Sequence, residues 1–297
     1  MAKRRPAEAP GSEENRRIGG MLSDYAEILE QQGEDGFRIR AYRAAASTAE
    51  HLDRPLREVW QQGGQDALIA LPTIGKGIAA AIAGMLSTGR WPQLERLRGE
   101  LAPEKLFQTL PGIGPKLARA LADEHHLESL EELEAALHDE AVELAGIGLR
   151  RRQALTAVLA ERLGRPLRRP APGEGAPEPP VALLLEVDAE YRLRAEAGEL
   201  RLIAPKRFNP EGEAWLPVLH TRADDWHFTA LYSNTALAHR LGRTKDWVVI
   251  YFQEDHGPEG RCTVVTETHG PMAGQRVVRG REEESRAAHE GTGRGGT

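Results

Sequence analysis

One cysteine, Cys262, is all that this chain of 297 residues contains, which excludes an internal disulfide and any cysteine-built zinc site. No run approaches the roughly 18 consecutive apolar residues of a membrane span. The opening stretch MAKRRPAEAPGSEEN has no apolar core, so it does not read as a signal peptide. These absences set the expectation of a soluble, cytoplasmic protein without a membrane partner. Aromatic residues are scarce, at 5% of the chain. Charge is missing locally in both signs: residues 71–90 hold no acid, and the nine acids from Asp123 to Glu143 have no Lys or Arg among them. The net charge is −6, and residues 1–163 carry 21 Lys+Arg against 25 Asp+Glu. That balance excludes a bulk electrostatic attraction to polyanions, so any phosphate binding must come from local contacts.

What is present is a phrase written three times. LPTIGKG occupies 71–77, LPGIGPK 110–116 and LAGIGLR 144–150, with 39 residues between Gly75 and Gly114 and 34 between Gly114 and Gly148. Regular recurrence marks a repeated structural unit. In each copy an isoleucine between small residues leads into a helical run. A tight turn opening a helix leaves N–H groups without intrahelical partners, and the helix dipole adds partial positive charge, so an anionic oxygen is welcome there. Gly112 and Gly114 offer backbone freedom and no Cβ; Ile113 plugs the paired helices; Lys116 sits where its ammonium reaches the same phosphate. Gly146 and Gly148 repeat the pattern. A plain helical connection is the alternative for any single copy. Thr73 replaces the leading glycine in the first copy, so its turn is expected to lack that freedom. The third has Ala145 for proline and Arg152 where the others have Ala79 and Ala118, which is expected to splay the helices or turn outward. Phosphate contact is accordingly expected to rank second, first, third.

The chain divides into a disordered leader (1–14), a helical region (15–163), a Pro/Gly linker (164–180), an α+β domain with a mostly antiparallel sheet (181–281) and a disordered tail (282–297). Ile18, Met21, Leu22, Tyr25 and Leu29 follow helical spacing, and Gly33 ends that helix. The next helix carries Arg38, Arg40 and Arg43, either a solvated face or a DNA-facing stripe. Ser129 and Glu132 form a capping box for an acidic surface helix. Arg150, Arg151 and Arg152 either meet phosphate or cap acidic neighbours. The linker holds six prolines and three glycines. Beyond it VALLLEVDAEY, GELRLIA, WLPVLHT, WHFTALYS, DWVVIYFQ, CTVVTETHG and QRVVRG read as strands, interrupted by one helix in NTALAHRLGR.

The order of blocks in 15–163 resembles the N-terminal helix–hairpin–helix region of the X-family DNA polymerases: NRRIGGMLSDYAEIL, FRIRAYRAAA, LPTIGKGIAAAI, TGRWPQLERL, LPGIGPKLARAL, then SLEELEAAL. The resemblance implies that Ile74, Gly75, Lys76 and Gly77 serve a 5′-phosphate, and that Gly112, Ile113, Gly114 and Lys116 grip the other side of a gap. It implies that Arg38, Tyr42 and Arg43 line the phosphate pocket. It also implies K+ or Na+ at backbone carbonyls near Leu110 and Ile113. The departures are equally specific. Ala81 stands at the Schiff-base lysine of the lyase members, and a methyl cannot replace an amine nucleophile. The paired D-x-D aspartates of a polymerase palm and the H-x-H of the phosphoesterase domain are absent.

Two enzymatic readings stand beside a binding one. Helix–hairpin–helix glycosylases carry a lysine where Lys116 stands, and Glu134 or Asp139 would have to act with it; such enzymes need a further helical domain to enclose a flipped base. A metal-dependent nuclease would draw on Glu186, Asp188, Lys206 and Asp246, but no fixed spacing selects them. His220, His227, His239, His256 and His269 match no metal motif, nor do Asp224, Asp225, Glu254 and Asp255. Trp215, Trp226, Tyr232, Trp247, Tyr251 and Phe252, with Arg207, Arg222, Arg240, Arg243 and Lys245, are either a base-stacking surface or the sheet's core. A protein partner docking on this domain is a further reading. The expectation is a structure-selective, nucleoid-associated DNA-binding protein for gaps, nicks or flaps, acting in repair without polymerase or lyase activity.

Overall fold

The computed structural model describes residues 10–292 except 35, 126, 129, 139–142, 163–176 and 255–258. Most of the linker, the capping serine Ser129, and Asp139, Asp255 and His256 therefore lie outside the described residues. The first helical unit is α1 (Pro10–Gln31), α2 (Gly36–His51), α3 (Leu56–Ile69), α4 (Lys76–Thr88) and α5 (Pro92–Leu97). α1 buries Ile18, Leu22, Tyr25, Ala26 and Leu29 against Ile39, Tyr42, Ala45, Ala46 and Ala49 of α2. The alanines allow two helices to approach closely where larger side chains would separate them. Gly33, at φ +81°, ends the first helix in the left-handed conformation that glycine adopts without cost.

The second unit is α6 (Pro103–Phe107), α7 (Pro115–Asp123), α8 (Leu130–His138) and α9 (Leu149–Arg162). Its core is separate, built on Phe107, Leu121, Leu133, Leu155 and Leu159. The helical half thus consists of two packed units, with the three glycine–isoleucine turns joining α3 to α4, α6 to α7 and α8 to α9.

The C-terminal domain is α10 (Val181–Glu196), β1 (Arg201–Ile203), β2 (Leu216–Ala223), β3 (Trp226–Tyr232), α11 (Ala236–Arg240), β4 (Val248–Glu254), β5 (Glu259–Thr266), β6 (Arg276–Val278) and α12 (Glu282–Thr292). The six strands form one antiparallel meander in sequence order. Three sequence expectations are corrected here. VALLLEVDAEY, read as a strand, is α10: Val181, Leu184, Val187 and Tyr191 recur at helical spacing and cover the sheet. Residues 282–292, read as a disordered tail, form α12, whose three opening glutamates suit the helix dipole. Its Ser285 is fully buried, accepting from the Val278 N–H at 3.0 Å and donating to the Arg281 carbonyl at 2.9 Å. Residues 10–14, read as leader, already belong to α1.

Register explains why the sheet is buried on both faces. Phe228, Ala230, Tyr232, Ile250 and Phe252 alternate toward α10, where the Tyr191 hydroxyl accepts from the Tyr232 N–H at 2.8 Å and donates to the Pro217 carbonyl at 3.0 Å. The alternate set points at the helical half. There Thr229 lies opposite His220 on one side and Tyr251 on the other, and Tyr251 lies opposite Arg261. These polar side chains are buried because the helices supply their partners. Arg96 forms a bidentate pair with Glu259 at 2.8 and 3.2 Å and stacks 3.2 Å over the Tyr251 ring. The Tyr251 hydroxyl donates to Glu128, and Arg261 binds Glu128 at 3.2 Å and Glu132 at 3.0 Å. The acidic helix α8, expected at the surface, is therefore a docking element, and Glu132 also accepts from the Glu128 N–H at 2.7 Å.

Candidate nucleic-acid interface

The three turns have one geometry. In each, the isoleucine N–H donates to the carbonyl three residues back: Ile74 to Leu71 at 3.3 Å, Ile113 to Leu110 at 3.2 Å, Ile147 to Leu144 at 2.9 Å. The first helix-closing bond is 2.9 Å in all three, from Ala79 to Gly75, Ala118 to Gly114 and Arg152 to Gly148. The isoleucines are buried between the paired helices. Thr73, Gly112 and Gly146 have φ of +63°, +81° and +83°. The first hairpin is thus not deprived of its turn. Thr73 enters the left-handed region at a cost of about 1–3 kcal/mol, and its hydroxyl meets that of Thr48 at 2.9 Å. Thr48 gives no signal in the sequence, since the pairing joins residues 25 apart.

The helix-opening glycines carry the functional argument. Gly75 and Gly114 have φ/ψ of −79°/174° and −83°/173°, extended values open to any residue. A Cβ added at Gly114 or at Gly148 would meet no atom within 4 Å. Neither backbone nor packing requires glycine at Gly114, which leaves a bare surface over unpartnered helix-opening amides. Lys76 and Lys116 stand exposed beside these amides and have no carboxylate partner among the described residues. The Lys76 carbonyl is braced by Gln65 Nε2 at 3.3 Å. The third hairpin keeps the glycines but turns its arginines onto its own backbone. Arg151 donates to the Gly146 carbonyl at 2.7 Å, and Arg152 donates to the Leu137 carbonyl at 2.8 Å, at the end of α8. Arg150 is exposed.

The residues expected to line the phosphate pocket are divided. Arg43 is exposed and pairs with Glu30 at 2.5 Å. Arg38 and Tyr42 are buried, which corrects the pocket assignment. Tyr42 belongs to an aromatic trio with Tyr25 and Trp91, centroids 4.7 and 5.9 Å away. Arg38 binds Glu34 at 3.0 Å, the Tyr25 hydroxyl at 3.2 Å and Gln253 of β4 at 3.3 Å. Its 7% exposure removes it from any phosphate path; it joins the two halves of the protein instead.

His220 closes the same buried junction. Its Nδ1 and Nε2 lie 3.0 Å from Thr229 Oγ1 and 2.6 Å from Gln32 Oε1. Gln32 Oε1 can only accept, so Nε2 carries the proton. Burial, with help from Arg38 and Arg96, holds the imidazole down to about 3. The Glu34 carboxylate 3.5 Å from Nδ1 does not offset this, because Arg38 engages it. A native pKa below the unfolded value means that the unfolded chain takes up the proton first, so His220 contributes fully above about pH 6.5 and loses that contribution as pH falls toward 3. Melting temperature is expected to fall between pH 6.5 and 5 in the wild type, with His220→Gln flattening that slope; parallel curves would count against this origin.

Other candidates are engaged structurally. Asp188, 1% exposed, and Asp246 share Arg276, which binds Asp188 at 2.6 and 2.9 Å and Asp246 at 2.9 Å. Lys206 pairs with Glu100 at 2.8 Å. Glu134 is buried. Burial pushes the Cys262 thiol up to about 12, so it stays in the neutral form near pH 7. Among the described residues no group of three His, Cys, Asp or Glu is placed to hold a metal ion. Tyr232, Tyr251 and Phe252 are core, as the structural reading of the aromatics expects. Among the described residues no helix is long and apolar enough to cross a membrane.

Comparison with known proteins follows the two helical units. Residues 13–91 match a helix-hairpin-helix domain, and residues 104–161 match a SAM-like helix-hairpin-helix tandem. The chain is 32% identical over 153 residues to the DNA polymerase/3′-5′ exonuclease PolX of Bacillus subtilis (strain 168), covering 50% of this chain and 26% of the relative. It therefore spans about a quarter of the curated relative's length. Together with the turn geometry, these matches identify residues 13–161 as a helix–hairpin–helix region of the kind found at the N-terminus of PolX-like proteins, and they support DNA binding by this half.

Proposed function

We propose that the protein is a structure-selective DNA-binding factor of DNA repair that recognises gaps, nicks or flaps through a 5′-phosphate and has no polymerase or lyase activity of its own. The observation that carries this reading is the bare, extended Gly114, which neither its φ nor its surroundings require to be glycine, repeated in three turns of one geometry. Duplex backbone is held by amides rather than by net charge, which suits an acidic chain. The first hairpin, with Lys76 and no acid from 71 to 90, takes the 5′-phosphate; the second, with Lys116, takes the facing strand. A monovalent cation, K+ or Na+, belongs to the same reading. The Ile113 carbonyl accepts no backbone hydrogen bond among the described residues, and that of Leu110 accepts only the 3.2 Å bond from Ile113, so both oxygens retain free lone pairs for a hard cation. Ala81, half-buried against the first core, leaves no amine at the lyase position.

The test is binding of the full chain to one-nucleotide-gapped duplex bearing a 5′-phosphate or a 5′-hydroxyl, and to intact duplex. The phosphorylated gap is expected to bind roughly tenfold tighter than the hydroxyl form, with Lys76→Ala removing the difference. Equal affinity for all three would defeat the reading. Cleavage with Mg2+ or Mn2+ that EDTA abolishes would replace a binding factor with a nuclease.

A further inference from the structure

Two connections between strands of the C-terminal domain, the loop 204–215 and the segment 233–247 that includes α11, meet at one exposed patch. Asn234 Nδ2 donates to the Arg207 carbonyl at 3.2 Å, and His239 Nε2 donates to Asn234 Oδ1 at 2.6 Å. This brings the His239 ring to 4.7 Å from Phe208 and 6.2 Å from Trp215. Phe208 remains 45% exposed, and Leu241, two residues after His239, is 53% exposed.

Phe208 holds this position against its own preference. Its φ is +53°, a region that bulky residues avoid at a cost of order 1–3 kcal/mol. The strain is fixed from both sides, by the Asn234 bond to Arg207 and by Asn209, whose side chain binds the Glu213 carbonyl at 2.8 Å and its N–H at 3.2 Å. A phenyl ring forced outward on a braced, strained backbone is not a core residue that failed to pack.

Charge points to the occupant. Residues 226–245 carry Arg240, Arg243 and Lys245 and no acid. Asp246 is drawn away by Arg276 at 2.9 Å and Thr266 at 2.6 Å, while its outer oxygen lies 3.5 Å from Arg243. The acids of the facing loop are Glu211 and Glu213. Arg207, whose guanidinium lies 5.1 Å from the Phe208 ring, is ion-paired to Asp123 at the end of α7. The patch is therefore anchored to the helix that opens at Gly114, at Asp123, about 13 Å of helical rise from that glycine.

We propose that Phe208 and His239, flanked by Arg240, Arg243 and Lys245, form a stacking site for unpaired bases of single-stranded DNA. It rests on the DNA-binding reading above and extends it, since a gap or flap presents single strand beside the duplex that the hairpins hold. Aromatic rings with surrounding cations bind single strands without sequence preference, because every base offers a π-face.

The experiment measures anisotropy of labelled oligothymidylate and of nicked duplex with the full chain. Phe208→Gly combined with His239→Ala is the principal variant, because glycine relieves the strained φ and the fold survives. Oligothymidylate affinity is expected to fall roughly tenfold or more, with nicked-duplex affinity unchanged, and Phe208→Trp is expected to retain binding. Wild type that binds nicked duplex but not oligothymidylate, or oligothymidylate binding indifferent to these variants, overturns this inference and leaves the proposed function intact. Oligothymidylate binding that depends on Phe208 in a chain indifferent to nicks and 5′-phosphate does the reverse. Self-association in light scattering that Phe208→Gly abolishes, without single-strand binding, makes the patch a protein contact and also overturns it.

Discussion

Replacing Gly114 with aspartate is expected to weaken gapped-DNA binding by roughly 10–100-fold while leaving the protein as stable as before or slightly more so. Gly114 is the N-cap of α7 at φ −83° and ψ 173°, where aspartate is among the preferred residues and a new Cβ meets nothing. Its carboxylate would accept from the same helix-opening N–H groups that the phosphate is proposed to use, and would repel the phosphate as well. Capping and the helix dipole together contribute up to about 1 kcal/mol in favour of the folded state. Most destabilising substitutions lower binding and melting temperature together; this one is expected to separate them. Gly114→Ser, neutral but equally able to cap, should fall between. Salt titration supplies the second readout, since losing one phosphate contact reduces the slope of log K against log salt by about 1. Unchanged affinity for Gly114→Asp would make the second hairpin purely architectural.

Arg38→Ala is expected to destabilise the protein by about 3–5 kcal/mol, because it removes the cationic partner of a carboxylate that is already out of water. Glu34 has a side-chain exposure of 2%, and Arg38 is its cationic partner at 3.0 Å. For a protein of this size that corresponds to a fall in melting temperature of roughly 10 °C. The double change Arg38→Met with Glu34→Leu should recover much of the loss, as apolar replacement of a buried pair often does. Thermal melts of the three variants decide the matter. Reduced DNA affinity with an unchanged melting temperature would return Arg38 to a solvent-facing role.

The difference between these two residues shows where sequence is informative. Gly114 is legible because its role depends on a local phrase, a turn and the helix that it opens, all within seven residues. Arg38 sits beside Arg40 and Arg43 in a helix where nothing local distinguishes them. Arg38 is the buried one, held by Glu34, by Tyr25 of α1 and by Gln253, 215 residues away. Thr73 is a smaller case of the same kind. The lost glycine suggests a different turn, yet Thr48 from another helix meets its hydroxyl and the chain keeps the left-handed conformation.

The C-terminal domain repeats the lesson with periodicity. Six strands are visible as short alternating runs, but α10 is rich in Val and Leu, and its helical spacing is masked by additional apolar residues at half-buried positions such as Leu183 and Leu185. Polar alternation in the strands suggests one solvated face. That face is instead covered by the helical half, through Arg96 of α5, Glu128 just before α8 and Glu132 of α8, so its histidines and tyrosines are interface rather than site.

By itself, then, the sequence determined the hairpins, the two-part division into helices and an antiparallel sheet, and the regions without acid or base, because each is written in local pattern and composition. Tertiary structure alone decided which arginines are free, why the sheet's polar face is dry, and that Phe208 and His239 meet. Those outcomes depend on burial and on partners that the fold brings together, up to 215 residues apart, and desolvation by a distant surface leaves no trace in local order.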